Sequence, residues 1–222
     1  MHLRTETTKH KKILTLAIAV LSFHRVVIGE ETPAKMTHVI IRMSGTDIAE
    51  DSFFAKPKTF WRASNRYCRT DEEPDPKNGI HGRLVINEPD GWLINLADNT
   101  AKHMPDPGPT FDCRLPIFAF NMAMVKSKIG ALEVGRELDF FHENGATVVE
   151  GPKLSFEAKY YRLHVGDSVL TLVERVDIHV PIMVGLIQDE KVYTARYALW
   201  EEIPFDPKLF VLPPGLKLIE VK

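Results

Sequence analysis

The sequence predicts an α+β fold: a curved antiparallel β-sheet forming an unclosed half-barrel, capped by an inserted helical lid. Three observations predict it. The first half of the chain reads as short, turn-separated strands. The middle changes to a helix-like spacing of apolar residues. The last third returns to strands. Strands, then helices, then strands point to one sheet with the helical block laid on one face. Short strands separated by turns suit a barrel or half-barrel.

The elements follow in order. Val39 to Met43 is β-branched and apolar and stops at Gly45. Thr59-Phe60-Trp61-Arg62 and Arg66-Tyr67-Cys68-Arg69 flank Ala63-Ser64-Asn65, which predicts a hairpin with a three-residue loop. Gly82 to Asn87 and Gly91 to Leu96 flank Glu88-Pro89-Asp90 and predict a second hairpin, with Lys102 to Met104 as a further edge strand. A helix is predicted over Ile117 to Met124 and a second over Leu132 to His142, stopped by Asn144-Gly145. Strands are then predicted at Tyr160 to Val165, Val169 to Val173, Val180 to Ile187 and Val192 to Trp200, with Gln188 to Lys191 as a turn. In the tail, Asp206-Pro207 starts a tight turn, Phe210 plugs an apolar gap, and Pro213-Pro214-Gly215 leads into a final short strand.

Residues 1–29 read as a secretory signal peptide, and 30–222 as one domain. A basic flank, Lys9 to Lys12, precedes an apolar run from Ile13 to Phe23. That run is too short for ~30 Å of hydrocarbon, which takes ~20 residues, but fits a signal core. Small residues near Val27-Ile28-Gly29 allow cleavage before Glu30, and export to the periplasm is the expected destination. The whole chain carries a formal charge of −2. Removing the signal takes five basic residues and one acid with it, leaving a more acidic chain. Bulk electrostatics therefore argue against a nucleic-acid or anionic-membrane binder. The two cysteines, Cys68 and Cys113, form either one disulfide or two separate buried thiols.

Four pieces, in order, resemble the LolA-like outer-membrane lipoprotein-sorting family. They are Thr59 to Tyr67 (strand, arginine, turn, strand), Leu84 to Asn95 (apolar strand, polar turn, Trp92, apolar strand), the helical block after Pro116, and the Asp206 to Glu220 tail. The resemblance covers most of residues 30–222 and implies a periplasmic carrier with no cofactor. Such a carrier holds acyl chains of a lipoprotein or another lipid between sheet and lid. Envelope membrane proteins would then be its donor and acceptor. The segment Glu72 to Gly82 is longer than a simple carrier turn, and Met104 to Phe111 is unusually rigid for a loop; both allow a different apolar cargo. Arg62 matches the family's lid-holding arginine, whose planar fork suits lid carbonyls. The expected ligand-binding residues are Trp61, Arg62, Tyr67, Trp92, Phe118 and Met122. Trp61 and Arg62 point to opposite faces of an unbroken strand, so at most one of them faces the cavity unless a bulge intervenes.

Enzymatic alternatives have thinner support. The chain has no Gly-x-Ser-x-Gly elbow, and Gly79-x-x-Gly82 is too short for a phosphate loop. His81, His103, Asp90 and Asp106 offer metal-compatible donors for a metal-assisted hydrolase, although no short ligand motif joins them. They are the alternative to the carrier, and convergence of the four side chains is what it requires. An adaptor that binds another protein on an exposed sheet edge is a third reading.

Overall fold

The computed structural model describes residues 32–105 and 114–219. The expected signal segment, Asp106 and Cys113 lie outside these described residues. The first half is six strands: β1 (Lys35–Gly45), β2 (Lys58–Ala63), β3 (Tyr67–Glu72), β4 (Gly82–Asn87), β5 (Asp90–Asn95) and β6 (Thr100–Pro105). The insert carries two short helices, α1 (Met122–Lys126) and α2 (Glu137–Glu143). Then come β7 (Thr147–Val149), β8 (Ala158–Val165), β9 (Ser168–Arg175), β10 (Val180–Gln188), β11 (Lys191–Pro204) and β12 (Lys217–Ile219).

All twelve strands form one sheet in the order β12-β6-β5-β4-β3-β2-β1-β11-β10-β9-β8-β7. The sheet is unclosed, because β12 and β7 stand at opposite ends and do not pair. Each of these edge strands is three residues long, which limits edge-to-edge association. Long β1 and β11 pair at the centre, with a register shift at Ile40/Ile41. A second shift lies at Pro181/Met183 between β9 and β10. Such bulges increase local twist, and the second is where an interior strand can hold a proline without losing a ladder bond.

Alternation divides the sheet into two apolar faces. Val39 and Ile41 of β1, Leu170 and Leu172 of β9, and Val184 and Leu186 of β10 point inward. There they pack with Phe118, Leu132, Val134 and Phe141 of the insert. On the outer face, Met36, Ala63 and Phe210 form one cluster and Val85, Ile94 and Ala101 another. The tail seals both. Pro207–Phe210 is a 3₁₀ turn, and Asp206 Oδ1 accepts from the Lys208 N–H at 3.0 Å. Phe210 stacks beside Phe205 and Tyr67. Leu212 and Leu216 continue over the second cluster.

Three elements differ from the sequence reading. The segment expected as a helix over Ile117 to Met124 is helical only from Met122. The Ile117 N–H donates to the Leu132 carbonyl at 3.0 Å, and the Val134 N–H to that of Leu115 at 2.9 Å. Pro116 disfavours helix before it, and the Asn121 side chain caps the Met124 N–H at 2.8 Å, fixing the later start. The second helix begins at Glu137, not Leu132, because Gly135 turns the chain at φ +80°. Its end is as read, with the Asn144 N–H bonded to Phe140 O and Gly145 at φ 72°. Finally, β12 runs parallel to β6, while the other pairings are antiparallel. No helix among the described residues is long and apolar enough to cross a membrane.

Candidate functional site

A cavity of about 300 Å³ lies between the inner face of β1 to β5 and the Leu115 to Phe120 stretch of the insert. Strand pairing builds its floor. Phe60 of β2 stands opposite Thr70 of β3, Thr70 opposite Leu84 of β4, and Leu84 opposite Leu93 of β5. Ile41 of β1 flanks them, Ile117 and Phe120 close one side, and the 3₁₀ turn Phe53–Ala55 forms the rim. Two large apolar side chains remain open to solvent in this lining, Leu93 at 50% and Phe54 at 48%. The volume sits at the lower end of the ~300–1,000 Å³ range of small-molecule sites.

Polar groups sit in the apolar lining at defined places. Lys58 is one alternation step from Phe60 and pairs across the ladder with Glu72. Its Nζ lies 3.5 Å from Glu72 Oε1, 3.3 Å from the Phe53 carbonyl and 4.3 Å from the Phe53 ring centroid. Burial pulls the Lys58 ammonium below the usual lysine range, opposed by Glu72. Thr70 Oγ1 is buried and has no hydrogen-bond partner among the described residues. Arg114 adds a second cation to the lining.

Deeper along the same strand, Arg62 joins sheet to insert. It is 6% exposed. Its Nη1 donates to Glu133 Oε2 at 2.6 Å and to the Val134 carbonyl at 3.1 Å. Burial lowers its pKa and Glu133 opposes that shift. Gly135 fits against this joint, since a Cβ there would lie 3.6 Å from Arg62 Cδ. Next to it is Glu137, 2% exposed. Its Oε1 accepts from Tyr197 Oη at 2.5 Å and from the Gly135 N–H at 2.9 Å. Burial pushes the Glu137 carboxyl up to about 7 despite these bonds, and Tyr197 is raised well above the usual phenol range.

The residues named from sequence do not gather at the cavity. Trp61, Tyr67 and Trp92 lie on the outer face, so their expected place in the ligand cavity is corrected. Trp61 stacks on His38 at 5.1 Å between ring centroids with Arg69 at 5.0 Å, and Trp92 stacks on His103 at 4.1 Å. Alternation is the cause: with Arg62 inward, Trp61 must be outward. Arg62 faces inward but fastens the insert rather than lining the cavity. Phe118 is fully buried in the main core, not at the cavity wall. Met122, on α1, is 65% exposed and also outside the lining. The lining residues Lys58, Thr70, Leu84 and Leu93 were not singled out from sequence. Their signal was available, since Lys58 and Phe60 share the face of Arg62 by the two-residue period.

The metal alternative fails on geometry. His103 Nε2 meets Asp90 Oδ1 at 2.7 Å on the outer face. His81 precedes Gly82, which pairs with Asn95, whereas Asp90 pairs with Asn87 at the other end of β4. At ~3.3 Å per residue, His81 and Asp90 are roughly 15 Å or more apart along the strand, too far to share an ion. Among the described residues no three His, Cys, Asp or Glu side chains converge. Cys68 is fully buried on the inner face and disulfide-bonded.

No protein-family model matches the sequence, and no curated protein matches it. The solved structures that match this chain include the following two. One is an uncharacterized conserved protein from Thermus thermophilus, with a TM-score of 0.49 and 10% identity, covering 84% of this chain and 90% of that one. The other is a LolA superfamily protein from Nitrosomonas europaea, with a TM-score of 0.36 and 12% identity, covering 82% of this chain and 92% of that one. The architecture described above rests on this chain's own strand pairing.

Proposed function

We propose that the chain is a non-enzymatic binding protein or carrier that holds acyl chains, of a lipoprotein or another lipid, in the cavity between sheet and insert. One observation carries the reading: Leu93 and Phe54 stand half-exposed in the lining of a cavity whose walls are mostly apolar. Each methylene transferred there from water is worth about 0.8 kcal/mol. Burying even part of an acyl chain at this value per methylene offsets the ordering cost of association. The basic-then-apolar N-terminus motivates the companion proposal that the protein works in the periplasm. There it would exchange cargo with envelope membrane proteins.

Native mass spectrometry of the protein recovered from the envelope tests this directly. A co-purifying lipid that leaves in the Leu93→Asp variant supports the reading. An empty protein that also takes up no added lipid refutes it.

A further inference from the structure

Resting on the acyl-binding reading, we propose that Phe120 sets the length of acyl chain the cavity takes: its ring is a stop on the insert side of the cavity, and behind it a second recess continues the apolar path. The two voids meet at this residue. Phe120 lines the cavity of about 300 Å³ beside Phe54 and Ile117. It also lines a recess of about 710 Å³ between α1 and the turns after β8 and β10, and no other described residue belongs to both linings. Its ring stands between an aromatic of each void, 6.1 Å from Phe54 and 4.5 Å from Tyr193 between ring centroids. A ring packed in this way blocks a flexible tail, because the tail passes only by displacing those aromatic contacts.

The recess suits the continuation of a tail. Met124, Ile129 and Tyr193 are buried in its lining, and Val165 packs with them against the main core. Asp167, Asp189 and Lys191, among its polar members, are exposed. An apolar base therefore lies inside a polar mouth. The local chain explains why the stop falls on Phe120. The Ile117 N–H is tied to the Leu132 carbonyl at 3.0 Å, and Asn121 caps α1 through the Met124 N–H at 2.8 Å. Between these fixed points Phe118 is fully buried and anchors the insert in the core, whereas Phe120 is only partly buried. Its side chain can be shortened without removing either backbone tie or the Phe118 anchor.

The test is displacement of an environment-sensitive fatty-acid probe by octanoate, decanoate, dodecanoate, tetradecanoate and hexadecanoate, each below its aggregation threshold. While added methylenes stay inside the cavity, affinity should rise roughly tenfold per added pair. In wild type the rise should stop within the series. Phe120→Ala should move the stop to a longer chain, and Phe120→Leu should move it less. Ala123 is exposed on α1 and lines the recess, so a large side chain there fills the recess from its open side. Phe120→Ala combined with Ala123→Trp should bring the stop back toward the wild-type length, and circular dichroism confirms that each variant is folded. Three results overturn the proposal while leaving the acyl cavity standing: an unbroken rise in wild type, the same stop in wild type and both Phe120 variants, or a moved stop that Ala123→Trp does not restore. Binding of none of the acids by folded wild type overturns both.

Discussion

The guanidinium of Arg62 meets the carboxylate of Glu133 at 2.6 Å, with both side chains enclosed between sheet and insert. The same nitrogen reaches the Val134 carbonyl. A buried pair of this kind is costly to break from one side, because the remaining charge is stranded. Arg62→Leu should therefore destabilise the fold by about 3–5 kcal/mol. Arg62→Leu with Glu133→Leu should recover a large part of that loss. Urea unfolding of the four proteins of the cycle measures the coupling. Additive losses would mean that the two charges act independently.

Glu137 should make stability fall as pH rises. Its folded pKa of about 7 exceeds its ordinary value of 4.5. The native state therefore holds the proton more tightly than the unfolded chain. That contribution is fully present below pH 4.5 and is lost as pH rises through about 7, the total loss being roughly 3 kcal/mol. Gln at this position keeps an acceptor for Tyr197 and Gly135 without a charge. Denaturation of wild type and Glu137→Gln across pH 4.5 to 8 should show the variant gaining relative stability with pH. A constant difference would contradict the assignment.

The outer-face tryptophans should matter for stability and not for binding. Trp61→Ala removes the ring packed on His38 and Arg69 and should cost about 1–3 kcal/mol, as expected for a partly buried large side chain. Acyl-probe affinity should be unchanged in the folded variant. A tenfold loss of affinity would move Trp61 to the ligand side.

Cys68 gives a redox prediction. It is disulfide-bonded in the main core, so denatured, unreduced protein should label with no free thiol. Cys68→Ala should lower stability by about 2–5 kcal/mol. Two reactive thiols per chain would show that the bond does not form.

Much of the architecture was legible in the sequence because its strands are punctuated. Asn144-Gly145, Gly166-Asp167 and the Gln188 to Lys191 turn sit where the structure turns. Asp206-Pro207 and Phe210 also act as their types suggest. The insert was harder to read. Ile117, Phe118 and Phe120 are apolar at spacings that suit a buried helix or an extended run, and the pairing with Leu132 to Val134 that decides it is tertiary. The site was less legible than the fold. Large aromatics drew attention to Trp61 and Trp92, yet both faces of this sheet are covered, one by the insert and one by the tail. Apolar character therefore does not mark the ligand side. Arg62 does, because a buried arginine must meet an acid or carbonyls. Counting by twos from it leads to Phe60 and Lys58.

The central claim is an acyl site floored by β2 to β5, and one titration tests it most directly. An environment-sensitive fatty-acid probe is added to wild type and to Leu93→Asp. Leu93 is half-exposed, so the charge should be tolerated by the fold yet placed against the bound tail. The account predicts saturable micromolar binding to wild type and at least a tenfold loss in the variant. Equal binding by the two folded proteins, or none by wild type, would contradict it.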